Sequence, residues 1–157
     1  MKGDNTVKKV KANLEICKHI AEGKIVHGQV VNEDLTFVFT IPGYYGYIFA
    51  NEDIAFAIEK IKMIPTEIKT FVDLSIIKPK NEIKSTRDFR LLDKEKWSAR
   101  KFVTQDGKEV WINNKFLCNI IVQECSFYQD GKKPVGSIIA VEKGVPVMVL
   151  LPIRQYN

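Results

Sequence analysis

The sequence predicts an α+β fold built from two halves, each a helix followed by three strands. Three observations predict it. An amphipathic helical pattern over Asn5–Glu22 leads into three strand-like segments. A second helical pattern, opening at Asn113-Asn114, again leads into three. Between the strand segments stand turn formers, among them Asn32-Glu33-Asp34, Asp106-Gly107, Asp130-Gly131 and Lys143-Gly144, which suit short antiparallel connections. The 157 residues are expected to form a single domain, with a first half over about 1–65 and a second over about 66–157.

The elements follow in order. Within Asn5–Glu22, the residues Val7, Val10, Leu14, Cys17 and Ala21 recur at spacings of three and four and share a face. Asn5 or Thr6 caps the start, and Gly23 stands where a helix end requires positive φ. The opposite face presents Lys8, Lys11, Glu15 and Lys18 and is mainly basic. KIVHGQVV and LTFVFTI then flank Asn32-Glu33-Asp34. In the second of these, Leu35, Phe37, Phe39 and Ile41 alternate with polar or smaller residues, the period of a half-buried strand. GYYGYIFA supplies a third strand. Asn51 is expected to cap a short helix that uses Ile54, Ala57, Ile58 and Ile61 and ends at Pro65.

In the second half IKTFVDLSII reads as a strand, and Lys78–Arg100 as a charged loop with a short helix after Ser85. Asp106-Gly107 joins KFVTQ to KEVWIN in a hairpin. The helix after Asn113 uses Phe116, Leu117, Ile120 and Ile121; SFYQ, VGSIIAV and VPVMVLLPI follow as strands. Two helices side by side on one antiparallel sheet would bury both apolar stripes.

Composition narrows the function. Hydrophobic residues at 45% and charged residues at 27% permit an ordinary globular core. No apolar run approaches the ~20 residues that cross a bilayer, and the first residues lack the apolar stretch of a secretory signal. The three cysteines have no framework spacing. A soluble, cytoplasmic protein without membrane association is expected. The net charge of +5 is concentrated in Met1–Lys24, with six lysines against three acids, and in Lys78–Arg100, with eight basic residues against four acidic. Such clusters suit a phosphate backbone, and equally a solvated surface.

No catalytic constellation stands out, so a non-enzyme without metal or cofactor is expected. His27 lies in a strand and His19 beside Lys18 on the helix surface. Cys17, His19, Cys118 and Cys125 do not have the spacing of a zinc site. Tyr45 and Tyr47 share a sheet face opposite to Tyr44. Half-buried packing is a commoner role for them than a platform on which bases stack. Trp97 and Trp111 read as structural.

The stretch VWINNKFLCNI, with KKPVGSIIAVEKGVPVMVLLPIR after it, resembles the last part of the bacterial DNA polymerase sliding clamp. Val110, Ile112 and Asn113 match its strand-to-helix step, Phe116-Leu117 its helix start and Pro134-Val135 its middle strand. Leu151, Pro152, Ile153 and Arg154 match its ending. Short phage and prophage proteins with one clamp-like domain would look similar. The resemblance spans roughly Lys108–Arg154; this chain has length for one such domain, so a ring would require a homo-oligomer.

The resemblance implies helices that present Lys8, Lys11, Lys18 and Lys115 to double-stranded DNA without reading bases. It also implies a docking groove for client peptides beside the last strand, walled by Leu151, Pro152, Ile153 and Arg154. A clamp-like module acting with DNA or with replication and repair proteins is the first expectation. The alternative is a phage-encoded inhibitor or decoy that binds a host nuclease, polymerase or defence protein without touching DNA. The plainer explanation of the ending is an edge strand that completes its sheet.

Overall fold

The computed structural model describes residues 2–40, 43–67, 71–91, 98–131 and 136–153, with the side chains of residues 2–8 outside that set. The chain divides into two compact units, Met1–Asp73 and Leu74–Asn157.

The first unit contains a helix, α1 (Lys2–Ala21), and strands β1 (Val26–Val30), β2 (Leu35–Thr40), β3 (Tyr45–Ala50) and β4 (Lys62–Met63). The sheet order is β4-β1-β2-β3, an antiparallel meander with the two-residue β4 parallel to β1. Local chemistry sets its corners. The Gly23 N–H donates to the Ile20 carbonyl at 3.1 Å and the Lys24 N–H to that of His19 at 3.0 Å. With Gly23 at φ 77° this is a Schellman closure of α1. Asn32 Oδ1 accepts from the Asp34 and Leu35 amides at 2.9 and 3.0 Å, which turns β1 into β2. Phe37 stacks on Phe39 with ring centroids 5.0 Å apart. Gly46, paired with Phe39, makes room for them: a Cβ there would lie 2.5 Å from the Phe37 ring. Ile16, Val26, Val38, Tyr47, Ile48, Phe49, Phe56 and Ile61 form the core.

The second unit contains β5 (Glu82–Leu91), β6 (Ser98–Val103), β7 (Glu109–Asn113), β8 (Cys125–Gln129), β9 (Ile138–Glu142) and β10 (Val145–Leu150). Their order is β10-β9-β8-β5-β6-β7, antiparallel throughout. Phe102 meets Phe127 edge to face at 4.8 Å, inside a core that includes Ile112, Ile138, Ile139, Met148 and Leu150. The Asp106-Gly107 and Lys143-Gly144 turns lie where their sequences place them. In the second, both residues have positive φ, 51° and 81°, as a type I′ turn requires.

The expected pair of helix-plus-three-strand halves is overturned. Among the described residues there is one α-helix against ten strands, and six of those strands lie in the second unit. After Asn113 the chain makes a 3₁₀ turn over Asn114–Leu117 and another over Val122–Glu124, with Ile121 extended at ψ 98° between them. A connection this short gains little from a full helix, whose nucleation is costly: the first 3₁₀ turn already buries Leu117, and Ile120 is buried just after it.

The short helix expected after Asn51 is likewise two 3₁₀ turns, Asn51–Asp53 and Ile58–Lys60, with Ile54 extended. The Asn51 side chain is drawn off to Thr36 and Glu33 instead of capping. In IKTFVDLSII the residues Leu74–Ile76 form a 3₁₀ turn, and 68–70 lie outside the described residues. Among its described residues Lys78–Arg100 is not chiefly loop: after a 3₁₀ turn at Pro79–Asn81 it holds β5 and the start of β6, and 92–97 lie outside the described residues. Beyond Ile83 every β5 residue except the half-buried Thr86 is exposed, so no alternation marks the strand.

Candidate functional site

The one described α-helix turns a different face inward from the expected one. Ala12, Asn13 and Ile16 are buried, while Val10 is 50% and Leu14 60% exposed. At 3.6 residues per turn the two sets point about 120° apart. The three–four stripe of Val10, Leu14 and Cys17 is therefore outside the core. Its spacing is that of a coiled-coil seam rather than of the broader stripe that packs on a sheet.

Asn13 builds the wall that faces this stripe. Its Nδ2 donates to the Asp53 carbonyl at 3.0 Å and to that of Lys9 at 3.1 Å; its Oδ1 accepts from the Ala55 amide at 2.7 Å. Lys9 Nζ adds an ion pair to Asp53 Oδ2 at 3.1 Å. The 53–55 backbone is thereby fastened along α1. Between it and Val10, Leu14 and Cys17 runs an open groove of about 380 Å³, lined also by Lys9 and Asn13. Lys11 and Lys18 are exposed on the side of the stripe away from Asp53. Lys18 is only loosely engaged, 3.9 Å from Glu22. The groove is apolar at Val10, Leu14, Cys17 and Ala55 and polar at Lys9, Asn13 and Asp53, while Lys11 and Lys18 stand exposed beyond the stripe.

Glu15 ties the same helix to β3. Its carboxylate accepts from the Tyr45 and Tyr47 hydroxyls at 3.0 and 3.2 Å, and His19 Nε2 lies 3.8 Å away. His19 is half-buried rather than on the surface, and its Nδ1 has no hydrogen-bond partner. The two tyrosines share a face as alternation requires, and they brace the helix. Trp111 is buried within β7.

The other site residues scatter. The Lys8 side chain, Pro134-Val135, Trp97 and Arg154 lie outside the described residues. Lys115 is exposed on the 3₁₀ turn, its amide capped by Asn113 Oδ1 at 3.0 Å, so no second helix carries it. Leu151, Pro152 and Ile153 leave β10 half-buried. The Ile153 amide donates to the Trp111 carbonyl at 2.8 Å, which lays this segment against the β7 backbone.

Comparison with protein-family models, with curated proteins and with solved structures returns no match. Among the described residues no helix is long and apolar enough to cross a membrane, and no group of three metal-ligating side chains assembles.

The β5–β6 ribbon is the other charged feature. Its pairing runs from Lys84↔Val103 and Ser85↔Phe102 to Phe89↔Arg100 and Leu91↔Ser98, with Thr86, Arg87 and Asp88 bulged between. Lys101 Nζ holds Asp88 at 2.8 Å and Glu109 at 3.6 Å; the Asp88 hydrogen bond, against some desolvation, keeps its ammonium above the usual lysine range. Arg90 lies 4.8 Å over the Trp111 ring and Arg100 5.0 Å over that of Phe89. Sequence reasoning missed both this ribbon and Asn13. An amide in the interior of a helix, where its intrinsic preference is poor, was the available signal for the second.

Proposed function

We propose that this chain is a non-enzymatic, cytoplasmic protein-binding module of the inhibitor or decoy kind, which docks a partner's amphipathic helix in the α1 groove. The observation that carries this reading is the outward stripe of Val10 and Leu14, 50% and 60% exposed on the protein's one described α-helix. Leaving two large aliphatic side chains in water forgoes roughly 1–2 kcal/mol each relative to burial, a gain that a partner recovers. Seam-like spacing suits a helix as occupant. The exposed Lys11 and Lys18 beside the stripe suit one flanked by carboxylates. A second copy of α1 would bring lysines against lysines in an antiparallel pairing, so an acidic partner fits better.

The clamp-like reading on duplex DNA keeps the exposed Lys11 and Lys18 in its favour. It loses the second helix on which Lys115 was to stand, and with it the helix pair that would face the duplex.

The test uses a synthetic three-heptad peptide with leucine seams and glutamate flanks. It should bind the intact chain and shield Cys17 from alkylation, whereas a lysine-flanked counterpart should not. Leu14→Glu should weaken binding more than tenfold with the thermal transition unchanged. Equal binding of both peptides, or an unaffected Leu14→Glu variant, would refute the proposal.

A further inference from the structure

The second unit carries a surface that the helix-docking reading does not use. β5 and β6 together hold Lys84, Arg87, Arg90, Arg100 and Lys101 against only Glu82 and Asp88. The carboxylates are matched by lysines: Glu82 by Lys84 at 3.1 Å and Asp88 by Lys101 at 2.8 Å. Beside these pairs the ribbon carries the guanidinium groups of Arg87, Arg90 and Arg100. The bulge places Thr86, Arg87 and Asp88 opposite the single residue Lys101 and leaves Arg87 exposed, the kind of irregularity that re-aims side chains on a ribbon. Among these cations stand two apolar side chains in water, Phe89 at 50% and Leu91 at 77% exposure. Arg100 lies over the Phe89 ring at 5.0 Å and covers one side of it, and the ring's remaining exposure is the surface a second flat group would cover.

We infer that this ribbon binds single-stranded nucleic acid, with Arg87 and Arg100 on the phosphates and a base stacked on Phe89. Phosphate oxygens accept the planar, multiply donating guanidinium well. An unpaired strand also offers base faces to an exposed aromatic ring, which a duplex keeps stacked inside. An acidic protein surface would satisfy the arginines but leave Phe89 and Leu91 without a matching face.

The probe is a fluorescent oligothymidine titrated with the full chain and read by anisotropy across a salt series. Binding should weaken linearly in log–log form with salt, and Arg87→Gln should flatten that slope by about 0.7. Phe89→Ala should weaken binding roughly 5- to 100-fold with little change in slope. Phe89 is half in solvent, so this variant should keep the parent's circular dichroism spectrum and melting curve. Leu14→Glu should leave oligothymidine binding untouched, which separates this inference from the groove. Absence of salt-dependent binding would overturn it. So would duplex binding as tight as that of the single strand, displacement by polyglutamate at equal charge, or an unchanged Phe89→Ala variant.

Discussion

Asn13 is a buried amide whose partners are all backbone groups, on Lys9, Asp53 and Ala55. Truncation to alanine would strand the Ala55 N–H and the Asp53 carbonyl away from their acceptor and donor. Asn13→Ala is expected to lose about 1–3 kcal/mol in urea unfolding, and to weaken the acidic helical probe because the groove wall is released. A variant as stable as the parent would show that water replaces the amide. Cys125 makes a second prediction. Desolvation, with Glu142 and Glu124 adding repulsion, pushes its thiol up to about 12. The folded chain thus holds this proton to higher pH than the unfolded chain does. The resulting stability is complete below the unfolded thiol's range and is lost as pH climbs towards 12. In mildly alkaline buffer, maleimide should label the exposed Cys118 first and reach Cys125 only on unfolding, read by mass spectrometry of peptides.

At the scale of elements, α1 works on two sides. Its inward residue Ile16 is 2% exposed, and Ile16→Ala should cost about 2–5 kcal/mol. Leu14→Glu should stay within about 0.5 kcal/mol of the parent. Equal losses in the two variants would mean that the stripe is core after all. The β2–β3 pair depends on close approach instead. Gly46→Ala would set a methyl 2.5 Å from the Phe37 ring and 2.8 Å from Phe39 Cβ, and overpacking of this kind costs about 1–3 kcal/mol, measurable as a lowered denaturation midpoint.

For the molecule as a whole, the groove belongs to Met1–Asp73 and the ribbon to Leu74–Asn157. They share no residue. Leu14→Glu and Phe89→Ala should each abolish or weaken one binding reaction and spare the other, and the double variant should show the sum of both losses. Measured coupling between the two ligands would mean that the units communicate. The expected two-fold repeat failed at this scale for a physical reason. A run of apolar residues after Asn113 states that something is buried there, yet Leu117 and Ile120 are buried as well by tight turns as by a helix. Likewise β5 is held by its neighbours β6 and β8, and its own side chains are almost all in water.

Sequence alone determined what neighbours along the chain decide. The Gly23 helix end, the Asn32 turn, the Asp106-Gly107 and Lys143-Gly144 hairpins and the alternation of Tyr45 and Tyr47 all rest on groups a few bonds apart. Tertiary structure decided which face of α1 is core. The stripe of Val10, Leu14 and Cys17 and the buried set around Ile16 are both apolar enough to pack, and the choice between them was made by partners distant in sequence: the 53–55 backbone on Asn13 and the β3 tyrosines on Glu15.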